Sequence, residues 1–142
     1  MADVSDPKLQ ELYQDVRSDG SPTNWCTFGY EGNNKIVAQG SGNGDFNEFL
    51  GSLDDGQCQY GFVRFITGNE ESKRAKFALI AWVGPNASIL KKARVSVHKA
   101  NVKEIVRDFA AEFLFDDRSE IDADAVKQKI VKAGGANYSG NS

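Results

Sequence analysis

The run "KFALIAWV", Lys76 to Val83, constrains the fold more than any other part of the chain. It is almost wholly apolar, with no period-2 alternation that would leave one side wet. A strand of this kind is buried on both faces and belongs in the middle of a sheet with helices on either side. Gly84-Pro85 closes it, because the residue before a proline is pushed out of helical geometry and the proline cannot donate to a ladder. The 142 residues suit one domain, and a chain of this length buries enough surface to fold without staples.

The rest of the sequence supplies the layers. Asp6-Pro7 starts a helix whose Leu9, Leu12, Tyr13 and Val16 share one face, and Asp19-Gly20 ends it. "NWCTFGYE" reads as a strand with Cys26, Phe28 and Tyr30 on one side and Trp25 and Thr27 on the other. "GNN" turns the chain into a second strand, "KIVAQGSG". "GSGNGD" lacks the Gly-Lys-Ser/Thr ending of a phosphate loop, so it reads as a loop from which Asp45 caps a helix bearing Phe46, Phe49, Leu50 and Leu53. In "CQYGFVRFIT", Tyr60, Phe62, Arg64 and Ile66 face one way, Val63 and Phe65 the other.

Helical periodicity then runs through "ASILKKARVSVHKANVKEIVRDFAAEF". Val95, Val102, Ile105, Val106, Phe109 and Phe113 form its core face. Ser96, Ala100, Lys103, Glu104 and Arg107 lie opposite, with Val97 on that outer side. Val97 is either one stray exposed apolar residue or part of a contact face. A short strand "EFLFDD" follows, then a last helix opened by Ser119 with Asp122 three residues on, burying Ala125, Val126, Ile130 and Ala133. The order α-β-β-α-β-β-α-β-α implies an α+β, three-layer α/β/α domain. Its central mixed sheet would have five to six strands with helices on both faces. The domain spans residues 1–133, and the Gly/Asn/Ser-rich stretch 134–142 is a flexible tail.

Catalytic signals are weak. One histidine, His98, rules out a multi-histidine metal cluster and fits a packed core-edge residue. Cys26 and Cys58 read as reduced, buried thiols. The pairs Asp54-Asp55, Glu70-Glu71 and Asp116-Asp117 lie in turns, where neighbouring carboxylates are solvated rather than opposed across a cleft. No cofactor or metal is called for. A net charge of −3 argues against a nucleic-acid partner. No apolar run reaches the roughly 20 residues of a membrane span, and the N-terminus has no basic-then-apolar signal pattern. The expected compartment is the cytoplasm. The triplets at Asn86 and Asn137 carry no weight as glycosylation sites there.

Against this background the basic cluster Lys73, Arg74 and Lys76 stands out at the mouth of the apolar strand. "ESKRAKFALIAWVG" resembles the "SKRSKF" stretch of the coactosins, within the actin-depolymerising-factor/cofilin homology (ADF-H) family. "DGSPTNWCTFGYEG", "FVRFITGNEESKR", "VKEIVRDFAAEF" and "VKAGGANY" extend the resemblance over nearly the whole chain. The resemblance implies an ADF-H fold and a monomeric, non-enzymatic module of the cytoskeleton that binds along filamentous actin. It also implies interference with barbed-end capping and little severing or monomer binding. The family's filament contacts carry over to Lys73, Arg74 and Lys76, and on the long helix to Lys91, Lys92, Arg94, Val97, Lys99 and Lys103. This chain departs from the family at "VSVHKA", 95–100, so the helix contacts carry over less directly. Taken singly, each cation also fits a solvated turn. A scaffold domain docking a partner other than actin is the alternative function.

Overall fold

The computed structural model describes residues 2–68 and 73–140, with side chains as far as Ala133. The expected turn carboxylates Glu70 and Glu71 lie outside the described residues, as does the side chain of Asn137. A five-stranded sheet has the order β2-β1-β3-β4-β5. Its strands are β1 (Trp25–Glu31), β2 (Lys35–Gly42), β3 (Cys58–Gly68), β4 (Lys73–Val83) and β5 (Ala111–Phe115). The first three pairings are antiparallel and β4–β5 is parallel, so the sheet is mixed. The helices are α1 (Pro7–Arg17), α2 (Phe46–Gly51), α3 (Ile89–Val102) and α4 (Ala123–Gly140).

The apolar run Lys76–Val83 sits where its composition demands, with Ala78, Leu79, Ile80, Ala81 and Trp82 at most 1% exposed. Alternation splits it between two cores. Phe77, Leu79 and Ala81 join Phe28, Tyr60 and Phe62 under Leu9, Tyr13 and Val16 of α1 and Val95 and Val102 of α3. Ala78, Ile80 and Trp82 join Trp25 and Val63 under Phe46 and Phe49 of α2 and Val126 and Ile130 of α4. A Cβ on Gly61 would lie 2.3 Å from the Phe49 ring, so only glycine lets α2 seat this closely on β3.

Arg64, on the α1 side of β3, ties the sheet to the end of α1. Its guanidinium donates to the carbonyl oxygens of Val16, Ser18 (2.7 Å) and Ser21 (3.0 Å). These include a carbonyl of the helix's last turn, which has no partner within the helix.

Three local expectations need correcting. First, α3 ends at Val102, with Lys103 as its C-cap. Ile105 and Val106 lie in the turn that follows, closed by their amides on the Val102 carbonyl at 2.9 Å. Val106 is nonetheless fully buried, and Phe113 belongs to β5 and to the opposite core. Second, Ser119 does not open the last helix. Asp117 caps a single 3₁₀ turn, Arg118–Glu120. The Asp122 side chain and carbonyl then accept from Asp124 (2.9 Å) and Val126 (3.0 Å) to start α4. Third, Ala125 is exposed and Ala123 packs inward instead. The helical backbone of α4 continues past Ala133 to Gly140, over most of the stretch set apart as a tail. The glycine pair at 134–135 lowers helix propensity without forbidding the conformation.

Candidate protein-binding surface

β4, α3 and β5 form a crossover unit. Because β5 is parallel to β4, α3 must run back along β4 before the chain re-enters the sheet. Ser88 caps the helix, its hydroxyl accepting from the Lys91 amide at 3.2 Å. Val95, His98, Asn101 and Val102 face the sheet.

A directional chain of hydrogen bonds fixes the helix rotation. Tyr60 donates its hydroxyl proton to the Val95 carbonyl at 2.6 Å. The Tyr30 hydroxyl lies 3.3 Å from that of Tyr60 and 2.9 Å from His98 Nδ1. With the Tyr60 proton committed, one arrangement satisfies every contact: His98 Nδ1–H donates to Tyr30, and Tyr30 donates to Tyr60. Burial first, with positive charge from Arg94 adding, holds the His98 pKa below its ordinary value, so the ring stays neutral and packed.

With that rotation fixed, the outer face of α3 carries an apolar stripe. Ile89, Leu90 and Val97 are 84%, 67% and 69% exposed, and Ala93, Ser96 and Ala100 are exposed between them. Ile89, Ala93, Val97 and Ala100 follow the i, i+4, i+8, i+11 spacing of one helical face. Lys92, Lys99 and Lys103 flank the stripe on one side and Lys91 and Arg94 on the other. Val97 points outward as expected. The sequence reading missed Ile89 and Leu90, although continuing the same 100° rotation back two turns from Val97 reaches both.

The second part of the surface is a projecting ribbon. β1 pairs with β3 only from Phe28↔Tyr60 to Trp25↔Val63, and β5 pairs with β4 only from Ala78 to Trp82. Past the Arg64 amide, which donates to the Asn24 carbonyl (2.7 Å), and the Phe77 carbonyl, which accepts from the Ala110 amide (2.8 Å), Phe65–Gly68 and Lys73–Lys76 continue as strands paired only with each other among the described residues. The basic cluster therefore belongs to β4 itself and not to the turn before it, as its sequence suggested. Lys73 and Arg74 are exposed, and Ile66 on β3 is 51% exposed. Lys76 is 8% exposed, opposite Phe65 and on the face it shares with Ala78 and Ile80.

The nine expected site residues thus separate into three groups. Lys73, Arg74 and Lys76 lie on the ribbon. Lys91, Lys92 and Arg94 lie at the far end of α3, where Lys92 Nζ donates to the Pro85 carbonyl (3.0 Å) and Arg94 reaches Asn33 Oδ1 (3.4 Å) in the β1–β2 turn. Val97, Lys99 and Lys103 lie between them, on the half of α3 that approaches the ribbon. The last two share one carboxylate: Glu112 of β5 meets Lys99 Nζ at 2.8 Å and also Lys103 Nζ. Hydrogen bonding to Lys103 first, and then to Lys99, lowers the Glu112 pKa. No sequence signal marks Glu112, because it reaches the lysines only through the crossover.

An outward apolar stripe with cations on both flanks has the make-up of protein-docking surfaces in general, apolar at the centre and charged at the rim. Comparison with known proteins points the same way. Residues 1–131 match the family of cofilin/tropomyosin-type actin-binding proteins. The chain is 41% identical over 142 residues to coactosin of Dictyostelium discoideum, covering 99% of this chain and 97% of that one. It is similar to the crystal structures of human coactosin-like protein (TM-score 0.84, 39% identity, 93% of this chain and 99% of that). It also resembles the solution structure of mouse coactosin, described as an actin filament binding protein (TM-score 0.77, 40% identity, 99% and 98% covered).

Proposed function

Because this chain belongs to the cofilin/tropomyosin-type actin-binding family, we propose that it binds along the sides of actin filaments through α3 and the β3–β4 ribbon. The observation that carries this reading is the α3 stripe, with Ile89, Leu90 and Val97 left exposed on a helix whose other face is locked to the sheet. Apolar residues in that position cost nothing in the free protein and supply the water-excluding centre of a contact. The cations around them are local, on a chain of net charge −3, and steer an acidic partner into register. Lys73 and Arg74 give the ribbon the same character.

Filament binding by a monomer in the cytoplasm, without a catalytic step, is the coactosin-like version of the family's activity. Competition with barbed-end capping follows if the bound module covers part of the terminal subunit. Severing and monomer sequestration are expected to be slight. Co-sedimentation with filamentous actin tests the reading. The protein should pellet at low salt and progressively less as ionic strength rises, because rim charges are screened over about 10 Å at 0.1 M. Folded protein that stays in the supernatant at low salt would overturn it.

A further inference from the structure

On α3, Lys91, Lys92 and Arg94 have no carboxylate partner among the described residues, whereas Lys99 and Lys103 share one. The two lysines are one turn apart, so their side chains lie on the same helix edge and converge. Glu112 approaches from the outer edge of the sheet, since β5 is the terminal strand. All three side chains keep between 29% and 37% of their surface exposed, so the cluster opens to solvent at the interface rim. Lys103 Nζ also sits 5.7 Å from the centre of the Phe109 ring, a position that holds the ammonium in place. Two convergent ammonium groups of this kind form a receptor for a single carboxylate, and the chain's own Glu112 occupies it.

We propose that the Lys99–Lys103 pair is a subsite for a carboxylate of the partner, and that Glu112 is its built-in competitor. This rests on the filament-binding reading. On docking, an acidic side chain of the filament displaces Glu112 from the two lysines. The free protein thereby hides two of its cations from the many other acidic surfaces it meets, and part of the attraction is given up to specificity. Glu112 is the residue that sets that exchange.

The test is Glu112→Gln, which keeps the side-chain shape and one acceptor oxygen but removes the charge and the second acceptor. One uncancelled charge about 7 Å from a partner carboxylate in water changes affinity about threefold. Glu112→Gln should therefore bind filaments about threefold tighter than wild type at 50 mM salt, and the gain should shrink at 200 mM. Glu11→Gln, the same change of net charge on exposed α1, should leave binding within experimental error. Combining Glu112→Gln with Lys99→Met and Lys103→Met should abolish the gain. Equal or weaker binding by Glu112→Gln, with the variant still fully folded at the assay temperature, would show that Glu112 only positions the lysines and overturn the competitor role. An equal gain from Glu11→Gln would also overturn it. If wild type itself fails to pellet, the filament reading falls, and this subsite with it.

Discussion

Replacing Val97 by Asp separates the two faces of α3 within one helix. Val97 is the ninth residue of the helix, beyond reach of the dipole at either end. It is 69% exposed, so an aspartate there stays hydrated. Valine and aspartate have similar helix propensities, and an i−3 pairing with Arg94 offers about 0.2–0.5 kcal/mol. The melting temperature should therefore move by less than about 2 °C, the equivalent of roughly 0.5 kcal/mol. Binding should respond differently. Burying the exposed portion of valine stabilises a contact by about 1–1.5 kcal/mol. Stripping water from the new carboxylate against an acidic partner costs about 2 kcal/mol more. The sum, near 3 kcal/mol, corresponds to on the order of a 100-fold rise in Kd. Val102→Ala, at 1% exposure on the inner face, should behave in reverse. It should cost about 1.5–2.5 kcal/mol of stability, near 5–10 °C, with filament affinity within twofold. Melts and co-sedimentation isotherms on the pair decide the matter. If Val97→Asp binds within twofold of wild type, the outer face of α3 does not meet the filament. If it unfolds the protein, the rotation assigned to α3 is wrong.

Three further outcomes follow from the fold. Arg64→Met removes the donors to Val16, Ser18 and Ser21; with water restoring part of the loss, it should cost about 2–3 kcal/mol and lower the thermal midpoint by about 6–12 °C. Glu112 and Asp15 both have lowered pKa values, through hydrogen bonds from Lys103 and Lys99 in one case and from Ser21 and Thr23 in the other. A lowered carboxylate contributes stability that is present above its unfolded pKa of about 4 and lost as pH falls through its folded value. Thermal midpoints should hold from about pH 7 to 5 and decline below about 4, with a smaller decline in Glu112→Gln. Burial, first of all, raises both thiols, Cys26 far more than Cys58. A thiol reagent at pH 8 should label neither at a measurable rate until urea unfolds the chain; rapid labelling of the native protein would show that the β1–β3 core opens locally.

How much of this was legible in the sequence depended on the range of the interaction. The burial of Leu9, Tyr13 and Val16, the limits of β2, and the faces of β1 and β3 follow from period and turn residues within a few positions. Phe113 was misassigned because Ile105, Val106, Phe109 and Phe113 happen to keep helical spacing after the helix has ended. Ser119 and Asp122 satisfy a capping pattern that the chain realises one step at a time, with Asp117 starting the 3₁₀ turn and Asp122 the helix. For the site, the sequence could place cations and Val97, since charge and helix face are local properties. It could not show that Lys76 is buried or that Glu112 holds two of the lysines, because those facts are made by strands meeting across the crossover.

The ribbon that carries Lys73 and Arg74 is also a mechanical element. Tension along the strands, applied at its tip, would not peel the hairpin open one rung at a time. It would load in shear the rungs from Trp25–Val63 to Phe28–Tyr60 on one flank and from Ala78–Ala111 to Trp82–Phe115 on the other. Hydrogen bonds lying across the pull share such a load and must give way together. If the ribbon meets the filament as proposed, a pull through its tip would load both flanking ladders in shear rather than unzip them.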